Sequence, residues 1–310
     1  MSNLSRPEFT DETKAREWLE KELWPEGPVC PKCGTVNEAT LMNGKTTRLG
    51  LYQCNACREP FTVTVGTLYE RSHIPLHKWL AVTHLMMASK KGMSALQISR
   101  MLGFPYKTAW FMCHRIRESL RETGSGGLLG GPNKVVEADE TWIGGKAKNR
   151  KKHIPPKEAA FALVERDGKV RSFHVPAVTA KTLRPIIAAH VDGKTYMMTD
   201  ESTVYPGLGK TFAGHGTVNH SIEEYVRGFF WHTNTVENYF SILKRGITGT
   251  YHHVSQQHLK RYLAEFDFRY NERQGLKVND ADRTAKAVKG IVGKRLTYRR
   301  TSGERSRQEA

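Results

Sequence analysis

Three acids sit where ordinary surface carboxylates are uncommon. Asp139 lies inside VVEADETWIGG, a strand-like run whose alternation puts Glu137, Asp139 and Thr141 on one face and Ala138, Glu140 and Trp142 on the other. A carboxylate at a strand centre is costly to bury unless it is paired or binds metal. Asp200 repeats the oddity at the end of TYMMTDES, a hydrophobic strand-like run, and strand ends in α/β sheets are where sites tend to be built. Glu237 belongs to HTNTVENYFSILKRGI, where a helix would pack Val236, Tyr239, Phe240 and Leu243 and leave Glu237, Ser241 and Lys244 on another side. Lys244 follows Glu237 by seven residues, close to two turns, so a carboxylate and an ammonium project from one face. Carboxylate oxygens suit Mg²⁺ or Mn²⁺. Two such ions about 3.5–4 Å apart can activate an oxygen nucleophile and stabilise a leaving oxygen in phosphodiester transfer. Singly, each residue is one of 31 acids; the set carries the reading.

A second chemistry is marked by cysteines. Cys30-Pro-Lys-Cys33 and Cys54-Asn-Ala-Cys57 are separated by 20 residues, a spacing that lets four thiolates close a tetrahedron around a structural Zn²⁺. Gly34, Arg58 and Phe61 suit knuckle turns and a short sheet, and in so small a domain the metal would supply much of the folding energy. The fifth cysteine, Cys113, lies in an apolar helical stretch and reads as a small buried hydrophobe.

The elements that must position these groups follow from periodicity. Residues 11–24 read as an amphipathic helix. Residues 76–121 are helical, and within them MSALQISRMLGFPYKTAWFMCHRIRESL reads as two helices around Gly103-Phe104-Pro105, with Ser94 as a cap. Its candidate core is Leu96, Ile98, Met101, Leu102, Ala109, Trp110, Met112, Cys113, Ile116 and Leu120. Such a pair suits a helix-turn-helix, offering Tyr106, Lys107, Thr108, His114 and Arg115 to DNA. The pattern then changes to strands, with a turn at Asp167–Gly168, and to helices at 179–191, 235–246 and 255–271. In the last of these, Leu259, Tyr262, Leu263 and Phe266 form a core stripe that leaves His258, Arg261 and Arg269 for solvent or DNA. The domains expected are 1–70, helix and zinc ribbon; 71–123, helical and helix-turn-helix-like; 124–132, a glycine-rich linker; 133–275, a catalytic core; and 276–310, a basic tail. That tail carries Arg283, Lys286, Lys289, Lys294, Arg295, Arg299, Arg300, Arg305 and Arg307, and is expected to be disordered or to lie on phosphate.

The 310 residues carry a formal charge of +17, which points to nucleic acid as the partner. No apolar run is long enough for a membrane span and the N-terminus has no secretory h-region, so membrane and secreted classes are set aside.

The pieces CPKCG, YQCNACREPFTVTVGT, VVEADETWIGGK, MMTDES, HTNTVENYFSILKRG and YHHVSQQHLKRYLAEFDFRYNER fall in this order across most of residues 20–275. Together they resemble the DDE transposases of bacterial insertion sequences, in the branch with an N-terminal zinc ribbon. The resemblance implies an α/β, ribonuclease H-like mixed-sheet core with Asp139, Asp200 and Glu237 as its magnesium-binding acids and Lys244 as the basic residue that follows. Members of this branch can use Asn for the third acid, and Asn234 and Asn238 flank Glu237. Glu237 is preferred for its distance to Lys244 and because a carboxylate binds Mg²⁺ better than an amide. His232 near the site would serve in hydrogen bonding or in catalysis. The implied activity is binding of terminal repeats in double-stranded DNA as a homo-oligomer, strand cleavage, and transfer of the freed 3′-OH to target DNA, in the cytoplasm on the nucleoid. Lys244, Arg261 and Arg269 join the helix pair as candidate DNA contacts. Two other readings stay open: a DNA-binding regulator with an inactive core, and a nuclease of the same fold that does not join.

Overall fold

The computed structural model describes residues 3–122, 126–144, 157–218, 226–227 (backbone only) and 230–297. The chain divides into two compact units. The first takes the chain to Ser89, then Met93–Leu120 and the segment from Asn279; the second is Lys90–Gly92 with Arg121–Val278.

In the first unit, α1 (Glu12–Leu23) is capped by Asp11, which accepts from Lys14 N–H at 2.8 Å. Three short strands, β1 (Ala39–Leu41), β2 (Tyr52–Cys54) and β3 (Pro60–Phe61), form an antiparallel sheet. Helix α2 (Leu76–Ala88) has no capping side chain of its own. Instead Glu12 accepts from the N–H groups of Leu76 and His77 at 2.9 and 3.2 Å, so α1 caps α2. α2 is buried almost all round, as its unbroken apolar composition requires. α3 (Ala95–Leu102) begins at Ser94, whose side chain accepts from Gln97 N–H, and ends at Gly103, with φ +73°. A residue with a Cβ would be strained there, so the glycine is what allows the sharp break before α4 (Tyr106–Ser119).

The tail, expected to be disordered or to lie on phosphate, is ordered in its first part. Asp280–Lys289 is a helix, α8, capped by Asn279 and packed against α2. Its charges mask a second pattern, Thr284, Ala287, Val288 and Ile291, an i, i+3, i+4, i+7 stripe that is buried. Arg283 is itself buried, donating to Met87 O at 2.9 Å and to Asp280 at 2.7 Å. Arg299, Arg300, Arg305 and Arg307 lie outside the described residues.

The second unit is built on one five-stranded mixed sheet. Its strands are β4 (Val135–Ile143), β5 (Glu158–Glu165), β6 (Val170–Val175), β7 (Tyr196–Asp200) and β8 (Gly214–Val218), in the spatial order β6-β5-β4-β7-β8. β4, β5 and β6 pair antiparallel; β7 and β8 run parallel to β4. The β5–β6 hairpin turns at Asp167–Gly168, with Asp167 at φ +57°. One face of the sheet packs Ala138, Phe161 and Leu163 against α5 (Ala180–His190) through Leu183 and Ile187. The other packs Ala160, Ala162 and Val164 against α6 (Asn234–Gly246) and α7 (Gln256–Asn271). A short hairpin, β9 (Val226–Arg227) with β10 (Trp231–His232), precedes α6.

The glycine-rich stretch expected as a linker is, where described, part of this unit. Leu129 is buried in its core, and Gly131 N–H donates to Thr195 Oγ1 at 2.8 Å. Gly130, at φ +82°, leaves no room for a Cβ, which would lie 2.1 Å from Thr195 Oγ1. Gly130 is therefore required by close approach as well as by its positive φ, and Gly131 by its φ of +117° alone. Gly124 lies outside the described residues.

Candidate active site

Asp139 and Asp200 stand side by side on adjacent parallel strands. The β4–β7 register sets Val135, Val136 and Glu137 opposite Tyr196, Met197 and Met198; continued along both strands, it brings Asp139 beside Asp200. Alternation along β4 turns Asp139 toward the α6–α7 side with Ile143, while Ala138 packs on the α5 side. Glu237 comes from the first turns of α6. Val236, Tyr239, Phe240 and Leu243 of that helix are buried, whereas Glu237 and Lys244 are exposed, as the periodicity predicts. The Thr233 hydroxyl donates to Glu237 Oε1 at 2.9 Å.

The electrostatics join the three acids. Burial pushes Asp139 up to about 7, and the negative charges of Glu140, Asp200 and Glu237 add to it, against the pull of the Glu140 N–H 2.8 Å from its Oδ1. Asp200 accepts from Ser202 N–H at 3.1 Å. Glu140, on the opposite face of β4, accepts from the Tyr205 hydroxyl at 2.5 Å, and burial raises both groups above their ordinary values. Tyr205 is too far along the chain for spacing to have linked it to the site.

Glu137, two residues before Asp139 on the same strand face, is fully buried and belongs to the same region. It accepts from Arg166 Nε at 2.6 Å and from the N–H groups of Thr235 and Val236 at 2.8 and 2.9 Å. His232 Nδ1 lies 3.3 Å from it, an ion pair when the ring is protonated. Alternation along β4 puts Glu137 on the Asp139 face but carries no signal of these partners.

The zinc ribbon is assembled as its spacing implies. Cys30, Cys33, Cys54 and Cys57 bring their sulfurs within 4.8 Å of one another. The Cys30–Cys57 and Cys33–Cys54 sulfurs are each 3.6 Å apart, close to the edge of about 3.8 Å that a tetrahedron with Zn–S bonds of about 2.3 Å requires. Gly34 N–H returns to Cys30 O at 2.9 Å and Arg58 N–H to Cys54 O at 3.0 Å, both residues at positive φ, which closes the two knuckles. The donor set fits a structural Zn²⁺. Trp24, Tyr52 and Phe61 pack edge-on and stacked beside it. Among the described residues, no other group of three or more candidate ligands has its donor atoms this close; the three acids stand further apart.

Residues 128–271 match the ISXO2-like transposase domain, and residues 10–59 match the transposase zinc-ribbon domain. The chain is also 25% identical, over 279 residues, to an uncharacterized protein in transposable element ISH50 of Halobacterium salinarum, covering 84% of this chain and 91% of that one. The chain is thus similar to ISXO2-like transposases over residues 128–271 and to transposase zinc ribbons over residues 10–59. The match to the first domain spans Asp139, Asp200 and Glu237, and the match to the second spans all four zinc-site cysteines.

The residues offered to DNA divide by burial. Tyr106 and Lys107, at the start of α4, are exposed, and Thr108 is half-buried. His114 and Arg115 depart from the expectation: they are 2% and 9% exposed. His114 packs on Trp110 with ring centroids 4.2 Å apart, and Arg115 donates to Glu70 O at 3.3 Å and lies over Trp79 and Phe111. Leu96 and Met101, read as core, are instead exposed. On α7 the stripe Leu259, Tyr262, Leu263 and Phe266 is buried as expected and Arg261 is half-buried. Arg269 is buried, paired with Glu265 one turn earlier and stacked over Phe266. No helix among the described residues is long and apolar enough to cross a membrane.

Proposed function

We propose that this chain is a DDE transposase that cleaves the ends of its element in double-stranded DNA and joins them to a target, with Asp139, Asp200 and Glu237 as its catalytic acids. The observation that carries the reading is Asp139, a carboxyl in a strand that burial and three negative neighbours hold up to about 7. A fold that crowds acids in this way is balanced when a cation sits among them. Mg²⁺ or Mn²⁺ bound there would act as a Lewis acid on the attacking and leaving oxygens.

The remaining work falls to the chain itself. Asp139 and Asp200 present oxygens from one side of the sheet, and Glu237, held by Thr233, presents one from α6. The influence of Glu237 on Asp139 supports Glu237 over Asn234 or Asn238 as the third ligand. Lys244, exposed on the same helix, would meet a phosphate. The strand order, with three antiparallel strands followed by two parallel to the first, supports a ribonuclease H-like core. Tyr106, Lys107 and Thr108 at the start of α4, together with the ribbon, would contact the terminal repeats in a homo-oligomer, and Arg261 would add a backbone contact.

The test is strand transfer with Mg²⁺ on DNA ends taken from the sequence flanking the gene. Wild type is compared with Asp139→Asn, Asp200→Asn and Glu237→Gln. Joined products should disappear in all three variants while DNA binding persists. Binding without cleavage in wild type would favour a regulator, and cleavage without joining a nuclease. Activity surviving in Glu237→Gln alone would move the third ligand to Asn234 or Asn238.

A further inference from the structure

The start of α6 is held in an unusual way. The residue at its N-cap position, Thr233, makes no side-chain bond to the helix's free N–H groups. Its hydroxyl is spent on Glu237 at 2.9 Å. The cap comes instead from another element: Glu137 of β4 reaches the N–H groups of Thr235 and Val236 at 2.8 and 2.9 Å, and the Thr235 hydroxyl at 2.8 Å. Glu137 is 0% exposed, and a buried carboxylate needs such donors to offset its desolvation. Arg166 completes the set, with Nε 2.6 Å from Glu137 and its two remaining nitrogens each 2.8 Å from the carbonyls of Phe230 and His232. One carboxylate therefore ties β4, the β5–β6 turn, the strand leading into α6 and the first turn of α6 together.

The consequence lies in what these elements carry. Asp139 is two residues along β4 on the same face as Glu137, and Glu237 follows Val236 directly. We propose that Glu137 is a positioning residue for the catalytic centre, setting the distance between Asp139 and Glu237 by capping α6 from β4 and freeing Thr233 to orient Glu237. Arg166 acts through Glu137 as a brace. This inference rests on the reading of Asp139, Asp200 and Glu237 as metal ligands.

The test uses Mn²⁺ binding to the full-length protein, followed by electron paramagnetic resonance, together with hydrogen exchange in metal-free buffer. Glu137→Gln keeps one acceptor oxygen but loses the ion pair. Thr235→Val is a milder change that removes only the hydroxyl bond. Glu137→Gln should weaken Mn²⁺ binding tenfold or more, Thr235→Val by a smaller factor, and Glu137→Asp should restore part of the loss. In the Glu237→Ala background, adding Glu137→Gln should weaken binding no further, because the positioned ligand is already gone; a merely structural role would lower affinity equally in both backgrounds. Without metal, exchange should accelerate at the first-turn amides of α6 and remain unchanged in β5 and β6. Normal Mn²⁺ affinity in Glu137→Gln, with Asp139→Asn and Glu237→Ala both impaired, overturns the inference and leaves the metal site standing. Wild-type binding that is absent, or indifferent to Asp139→Asn, overturns the metal-site reading and this inference with it.

Discussion

At Asp139 the folded chain holds a carboxyl up to about 7, from an ordinary value of 3.8, mainly by burial. A carboxyl raised in the fold binds its proton more tightly there than in the unfolded chain. Without metal, stability therefore falls as pH rises from about 4 to about 7, and levels off above. Asp139→Asn removes the titration. In metal-free buffer the variant should be more stable than wild type at pH 8, by on the order of 2 kcal/mol, with little difference at pH 4.5. Magnesium should then raise the Tm of wild type at pH 8 and leave the variant unmoved. Melting curves of the two proteins across this range check the outcome, and parallel pH profiles would sink it. Asp267, on α7, is raised by burial for a structural reason. Burial brings it to about 6, yet it is satisfied by Ser172 N–H, Ser172 Oγ and the Tyr239 hydroxyl at 2.9, 2.7 and 2.5 Å, a bond network that locks α6 and α7 to β6.

Periodicity exposed the elements themselves, because a helix or strand that buries one face must repeat its apolar residues at the matching interval. The packed and open sides of α6 are legible for this reason, and the four sulfurs of the ribbon by the spacing of their two CxxC pairs. What stayed hidden depended on partners that spacing does not reveal. Glu137 is read correctly only once Arg166 and the start of α6 are brought against it. Arg115 finds its carbonyl at Glu70, and α8 finds its place only against α2. Arg269 is the sharpest case, since a basic residue on an amphipathic helix is usually solvated, whereas here Tyr251 donates to Glu265 and Glu265 pairs with Arg269 inside the core. Removing one partner of a buried pair strands the other charge. Arg269→Ala should thus cost about 3 kcal/mol in urea unfolding. Where the folded variant is populated, its DNA affinity should match wild type; a selective loss of DNA binding with unchanged stability would return Arg269 to the DNA surface.

At the scale of the whole molecule the charge of +17 must be divided between cations that hold the fold and cations left for a polyanion. Arg166, Arg269 and Arg283 are committed to partners within the chain. Lys107 on α4 and Lys244 on α6 are exposed, and each belongs to a different one of the two compact units. Phosphate neutralisation by such residues releases counterions, so the logarithm of the binding constant falls linearly with the logarithm of salt, by about 0.9 per phosphate contacted. Lys107→Ala and Lys244→Ala should each reduce that slope by about one, and should do so on unrelated DNA as well as on element ends, because a phosphate contact carries no sequence information. Arg166→Lys disturbs the brace at Glu137 and should leave the slope unchanged. Filter-binding titrations over a range of salt concentrations measure all three. A slope that moves with Arg166→Lys and not with the two lysines would mean that the cation bracing Glu137, and not the exposed lysines, governs the DNA contact.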